Sequence, residues 1–175
     1  VEDPVLVVDE TAVVTSMGAT SRRGEGEALR EALSRRGKRV VEIEGPGTLE
    51  GGDVVRIGDK ILVGLTGRTN REGVEGLRAI LDENRYEIAA VEVRDALHLK
   101  SVVAYLGDGH VVLTPGHLGE SILDEYDRIE IGAGDAYATN CIALNGAVII
   151  AEGFPDVTAG IADAGFETIE IPMSE

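Results

Sequence analysis

Val54-Val55-Arg56-Ile57-Gly58-Asp59-Lys60-Ile61-Leu62-Val63 is the stretch from which the fold is read. Two β-branched runs flank a Gly-Asp pair, the pattern of two strands closed by a tight turn. The same arrangement recurs along the chain. Val5 to Val8 and Ala12 to Val14 flank Asp9-Glu10, Val102 to Leu106 and Val111 to Leu113 flank Asp108-Gly109, and Ile142 to Leu144 and Ala147 to Ile150 flank Asn145-Gly146. The turns start at 9, 58, 108 and 145, with intervals of 49, 50 and 37 residues, a near-regular period with one shortened unit.

Amphipathic segments follow each hairpin. Ala28, Leu29, Ala32 and Leu33 predict the first helix, and Val74, Leu77, Ile80 and Leu81 the second. A shorter third segment carries Leu118, Ile122, Leu123 and Tyr126, and the fourth carries Val157, Ile161 and Ala162 behind Pro155-Asp156. Another strand follows in every case: Arg39 to Ile43, Glu87 to Val93, Arg128 to Ile131 and Glu167 to Ile171. The unit is strand, strand, helix, strand, used four times within a single α/β domain over residues 1–175. One such unit cannot bury both faces of its sheet, so the units are expected around a common axis, as an open arc. An ordinary α+β domain with accidental hairpin spacing is the alternative.

Composition narrows the functions. The 175 residues include 32 Asp+Glu against 16 Lys+Arg, a net charge of −16, and 43% are apolar, enough for a core. So negative a surface repels phosphate backbones and anionic lipid, so neither nucleic acid nor membrane is expected as a partner. No apolar run nears membrane-spanning length, no signal peptide is legible, and a cytoplasmic site is expected. Only Lys38, Lys60 and Lys100 are lysines, a bias that suits a salt-rich cytoplasm. Cys141 is the single cysteine, and with three scattered histidines it gives no zinc-finger spacing. Val1-Glu2-Asp3-Pro4 runs directly into a strand, as in a chain cut from something longer.

Nucleotide motifs fail. Gly24-Glu25-Gly26, Gly45-Pro46-Gly47 and Gly132-Ala133-Gly134 lack the third glycine of a dinucleotide loop, and Gly37-Lys38 lacks the earlier glycine of a P-loop. More informative are Glu50-Gly51-Gly52-Asp53 before the second hairpin and Leu97-His98-Leu99-Lys100 before the third. They occupy the same phase of the repeat, as does Glu2-Asp3 before the first hairpin, so all three should face one cavity. An anionic cavity of Glu2, Asp3, Glu50 and Asp53 suits a guanidinium. His98 beside a carboxylate is a candidate general acid/base, because a nearby negative charge favours the protonated imidazole. Arg22 and Arg68 are candidates for binding a carboxylate. Taken singly, Gly-Gly-Asp is also a common turn, a histidine between leucines a common core residue, and both arginines ordinary surface charges.

Glu2-Asp3-Pro4, Ser21-Arg22-Arg23-Gly24-Glu25, Gly47-Thr48-Leu49-Glu50-Gly51-Gly52-Asp53, Gly67-Arg68-Thr69-Asn70, Leu97-His98-Leu99-Lys100 and Ala138-Thr139-Asn140-Cys141 occur in this order over essentially the whole chain. Together they resemble the dimethylarginine dimethylaminohydrolase family of the guanidine-modifying pentein superfamily. Glu-Gly-Gly-Asp alone is shared with arginine deiminases, which usually have Asp where Lys100 stands.

The resemblance implies a propeller of five ββαβ modules, of which four are counted here, with a central substrate site and no metal or organic cofactor. It implies that His98 is the general acid/base, that Glu50 holds the guanidinium and orients His98, that Glu2, Asp3 and Asp53 line the guanidinium end, and that Arg22 and Arg68 bind the amino-acid carboxylate. The family nucleophile is a cysteine near the carboxyl terminus after a Gly-Gly pair. Cys141 instead matches a strand cysteine of the family. The expected function is hydrolysis of methylated arginine to citrulline and dimethylamine, with these 175 residues inactive alone. The alternatives are an arginine deiminase-like hydrolase, and a non-catalytic pentein that binds a partner, in the manner of the ribosomal anti-association factor, or remains as a remnant.

Overall fold

The computed structural model describes every residue except Val1, Arg23, Glu83, Asn84, Glu120, Ser174 and Glu175. Val1 and Arg23, which belong to the sequence features above, lie outside the described residues. The chain forms two compact units. One takes in the residues up to Val93 together with Leu97–Leu99, and the other Arg94–Ala96 with the residues from Lys100 onward.

The first unit holds two three-stranded sheets. In one, β1 (Val5–Val8) pairs antiparallel with β2 (Thr11–Val14), and the chain passes through α1 (Gly26–Arg35) to β3 (Arg39–Glu42), which lies parallel to β2. In the other, β4 (Val54–Ile57) and β5 (Lys60–Leu65) form the hairpin, and α2 (Arg71–Ile80) leads to β6 (Glu87–Glu92), parallel to β5. The expected unit is therefore present twice, and its turns have the expected chemistry: Asp9 sits at φ 50° and Gly58 at φ 63°. Val8, Val13, Leu49, Val54, Ile61, Val63, Val74 and Leu77 build the core between these elements.

The two helices fare differently. Asn70 caps α2 by accepting the Gly73 N–H at 2.8 Å, and Val74, Leu77 and Leu81 are buried as the periodicity predicts. The first helix exists over the predicted segment, but Leu29 stays 38% exposed and Gly26 is its buried residue.

The second unit repeats the scheme with β7 (Val103–Gly107), β8 (His110–Leu113) and β9 (Asp127–Glu130), then β10 (Ile142–Leu144), β11 (Ala147–Ala151), α3 (Pro155–Asp163) and β12 (Glu167–Ile171). Asp108-Gly109 and Asn145-Gly146 have positive φ at both residues. Pro155 opens α3, which buries Val157 and Ile161. The third helical segment departs from expectation. Described residues from Leu118 to Tyr126 form turns, with Ile122 N–H on Gly119 O and Tyr126 N–H on Leu123 O. Gly116, at φ 94°, lies just before this segment and Gly119 within it, and among its described residues Leu123 alone is buried. Of the described helices, none is long and apolar enough to cross a membrane.

Candidate active site

Three loops of the first unit meet at the site, held by backbone and side-chain hydrogen bonds together. The turn ahead of β1 presents Asp3, whose carbonyl accepts both the Gly51 N–H at 3.0 Å and the Thr15 hydroxyl at 2.6 Å. The 3-10 turn Gly51–Asp53 leads into β4, with Glu50 extended just before it. Asp3 Oδ1 then accepts the Gly52 N–H at 2.9 Å. A Cβ on Gly52 would lie 2.7 Å from Asp3 Oδ1 and 3.0 Å from His98 Cγ, so only glycine lets the three segments approach this closely.

Glu50 is the centre of the cluster. Its side chain has no solvent exposure, yet every oxygen has a partner: Oε1 accepts the Gly18 N–H at 3.1 Å and Oε2 lies 2.9 Å from His98 Nε2. With Glu50 as a carboxylate, which can only accept, the imidazole hydrogen sits on Nε2. His98 Nε2 is also 3.9 Å from Asp3 Oδ1, and the His98 side chain is 14% exposed. A buried negative charge demands compensation. Arg22 Nη1 stands 3.5 Å from Glu50 Oε2 and Arg68 Nη1 3.8 Å from Oε1, and both arginines reach toward solvent.

Arg22 is held more firmly than the sequence suggests. Its Nη1 donates to Asp3 Oδ2 at 2.9 Å, while Nε and Nη2 clasp the two oxygens of Glu25 at 2.9 and 2.8 Å. The bonds to Glu25 and then Asp3 raise the Arg22 pKa further, against the opposing effect of burial. Burial acts to raise the Asp3 pKa, but the Arg22 bond, the Gly52 N–H and the charges of His98 and Arg22 together hold it below the ordinary carboxylate value.

The site residues read from the sequence are not placed alike. Asp3, Glu50, His98, Arg22 and Arg68 converge on one cluster. Glu2 sits in the same turn with an exposed side chain. Asp53 departs from its expected place along the guanidinium end: it is fully buried and its carboxylate is occupied by the protein itself. Asp53 Oδ1 accepts the Leu99 N–H at 2.9 Å, and Oδ2 accepts the Thr66 and Thr69 hydroxyls at 2.8 and 2.6 Å. Glu25, Thr66 and Thr69 escaped the sequence reading. Glu25 follows Arg22 at i+3 in a quoted motif, a signal that could have found it.

Asp3, Glu50 and His98 each offer a ligand atom within 4.8 Å of the others, a donor set that a cation could use. Arg22 brings a guanidinium group against Asp3 and to 3.5 Å from Glu50, and Arg68 brings another to 3.8 Å from Glu50. In the second unit, burial pushes the Cys141 thiol up to about 11, and Cys141 lies in the core with Ala138, Val148 and Ile150. A thiol so placed is a packing group and not a nucleophile.

The sequence model of the arginine deiminase family matches residues 13–175. The chain belongs to that family. The N(G),N(G)-dimethylarginine dimethylaminohydrolase of Pseudomonas aeruginosa is 38% identical over all of this chain and 69% of its own length. A solved dimethylarginine dimethylaminohydrolase, a histidine-to-glycine variant as an adduct with S-methyl-L-thiocitrulline, superposes with TM-score 0.92 at 37% identity over 98% of this chain and 68% of its own. A cysteine-to-serine variant of the Pseudomonas aeruginosa enzyme complexed with citrulline gives TM-score 0.90 at 38% identity, with the same two shares. Family membership thus bears out the expected resemblance, and the four three-stranded sheets found among the described residues match the pentein fold.

Proposed function

We propose that this arginine deiminase family member is an amidine hydrolase that converts methylated arginine and water to citrulline and dimethylamine. One observation carries the reading: a fully buried Glu50 holds His98 Nε2 at 2.9 Å beside Asp3, with two arginines at the rim of the same cluster. Asp3 and Glu50 bind the substrate guanidinium through charge-assisted hydrogen bonds, and Arg68 with Arg22 takes the amino-acid carboxylate. A cysteine thiolate of the family type attacks the guanidinium carbon and forms a C–S bond. The C–N bond to dimethylamine breaks, and His98 gives the leaving nitrogen its proton. The neutral imidazole then takes one proton from water as that water attacks the thiouronium carbon, the C–S bond breaks to return the cysteine thiolate, and citrulline leaves as the second water proton passes to the released dimethylamine. Glu50 keeps the imidazole oriented through both steps.

Cys141, buried and with a raised pKa, does not supply that thiolate, so residues 1–175 are expected to bind and orient substrate without turning it over alone. The family match favours a second reading, arginine deiminase, with the same steps and ammonia as the leaving group. Incubation of the whole protein with NG,NG-dimethylarginine and, separately, with arginine decides between them. Citrulline with dimethylamine supports the proposal, citrulline with ammonia only from arginine supports the second reading, and no citrulline from either sinks both.

A further inference from the structure

The Asp53 carboxylate is fully buried, yet it reaches the three segments that deliver His98, Glu50 and Arg68. Oδ1 accepts the N–H of Leu99, the residue immediately after His98. Oδ2 accepts the Thr69 hydroxyl, and the oxygen of that hydroxyl itself accepts the Glu50 N–H at 3.1 Å. Oδ2 also accepts the Thr66 hydroxyl, whose oxygen accepts the Arg68 N–H at 3.0 Å. Gly64 allows this: a Cβ there would lie 2.8 Å from Leu99 Cβ and 3.3 Å from Asp53 Oδ1. A turn-forming aspartate would be satisfied by its own neighbours, whereas the donors to Asp53 lie 13, 16 and 46 residues away.

We infer that Asp53 is a positioning residue, a buried carboxylate that fixes His98, Glu50 and Arg68 relative to one another through Leu99, Thr69 and Thr66. The inference rests on the hydrolase reading for its catalytic consequence, although the placement of His98 can be tested without it. Burial disfavours a charge at Asp53, and the three donors offset part of that cost. An isosteric amide disturbs this arrangement, because its NH2 would face hydroxyls that now donate.

The test follows the His98 imidazole 15N resonances, turnover and melting of the whole protein for Asp53→Asn. The expected result is a cooperatively folded variant whose His98 signals move from their Glu50-bonded positions, with kcat lower by on the order of 10²-fold and KM changed much less. Should Asp53→Asn fail to fold, Thr69→Val and Thr69→Ser decide. The valine is expected to displace the His98 signals and lower kcat, while the serine, keeping the hydroxyl, restores both. A folded Asp53→Asn with wild-type His98 signals and kcat, or valine and serine variants that behave alike, would overturn the inference. If the wild-type protein turns over no guanidine substrate, the hydrolase reading fails, and His98 signals that still move with Asp53→Asn keep the positioning role.

Discussion

His98 Nε2 stands 2.9 Å from Glu50 Oε2, and Glu50 is closed off from solvent altogether. The pair joins loops 48 residues apart, so the fold holds it, and no local turn could. Glu50 in that position engages the imidazole through a hydrogen bond shielded from water, and it turns Nε2 toward the carboxyl group. Acid/base work at a guanidinium needs that orientation before substrate arrives.

The narrow approach at Gly52 gives a sharp prediction. Its added Cβ would meet Asp3 Oδ1 and His98 Cγ at 2.7 and 3.0 Å, and both belong to the site. Gly52→Ala is expected to lower stability by about 1–3 kcal/mol and turnover by on the order of 10²-fold. Thermal melts and steady-state kinetics check this. Loss of stability with unchanged kcat would place the crowding elsewhere than at His98.

Arg68 and the substrate carboxylate give the second. Arg68→Ala is expected to lower kcat/KM for a full amino-acid substrate by roughly 10- to 100-fold, as for loss of a charge-assisted hydrogen bond. A decarboxylated analogue such as agmatine, where processed, should lose much less. Equal losses on both substrates, or none, contradict carboxylate binding by Arg68.

Acid stability gives the third. Asp3 is held below its ordinary pKa in the folded protein, so its ionised form contributes stability above the unfolded value of about 3.9. That contribution is lost as pH falls through the lower folded value. Asp53 has the opposite sign, because burial raises its pKa despite the bonds from Thr69, Leu99 and Thr66, so its ionisation opposes folding as pH rises. Asp3→Asn should therefore lose less stability than wild type between about pH 5 and pH 3 in chemical denaturation. Parallel pH dependences would mean that Asp3 is not held below its ordinary value.

Most of the fold was legible because tight turns announce themselves. Asp9, Gly58, Asp108 and Asn145 each take the positive φ that a two-residue turn demands, and few residue types tolerate it. The strand Glu167–Ile171 lies where the repeat places one after the fourth helical segment. The third helical segment differs from the periodicity because Leu118, Ile122 and Leu123 keep helical spacing while Gly119 within it, and Gly116 just before it at φ 94°, favour turns. At the site, the phase of the repeat brought Asp3, Glu50 and His98 together correctly. The same logic put Asp53 in the cavity with them, since phase reports where a segment goes and not which way one side chain turns. Thr66 has no sequence signal, and Thr69 has only its place in Gly67-Arg68-Thr69-Asn70, because a hydroxyl that meets a distant buried carboxylate leaves no periodic trace.

Arg22 Nη1 lies 2.9 Å from Asp3 Oδ2 and 3.5 Å from Glu50 Oε2, the two carboxylates proposed to bind the substrate guanidinium. Determining the structure with citrulline bound tests that proposal most directly. The expected result is the ureido group within hydrogen-bond distance of Asp3, Glu50 and His98, the ligand carboxylate on Arg68 and Arg22, and Arg22 released from Asp3. A ligand lying elsewhere, with Arg22 still bridging Asp3 and Glu25, would contradict it.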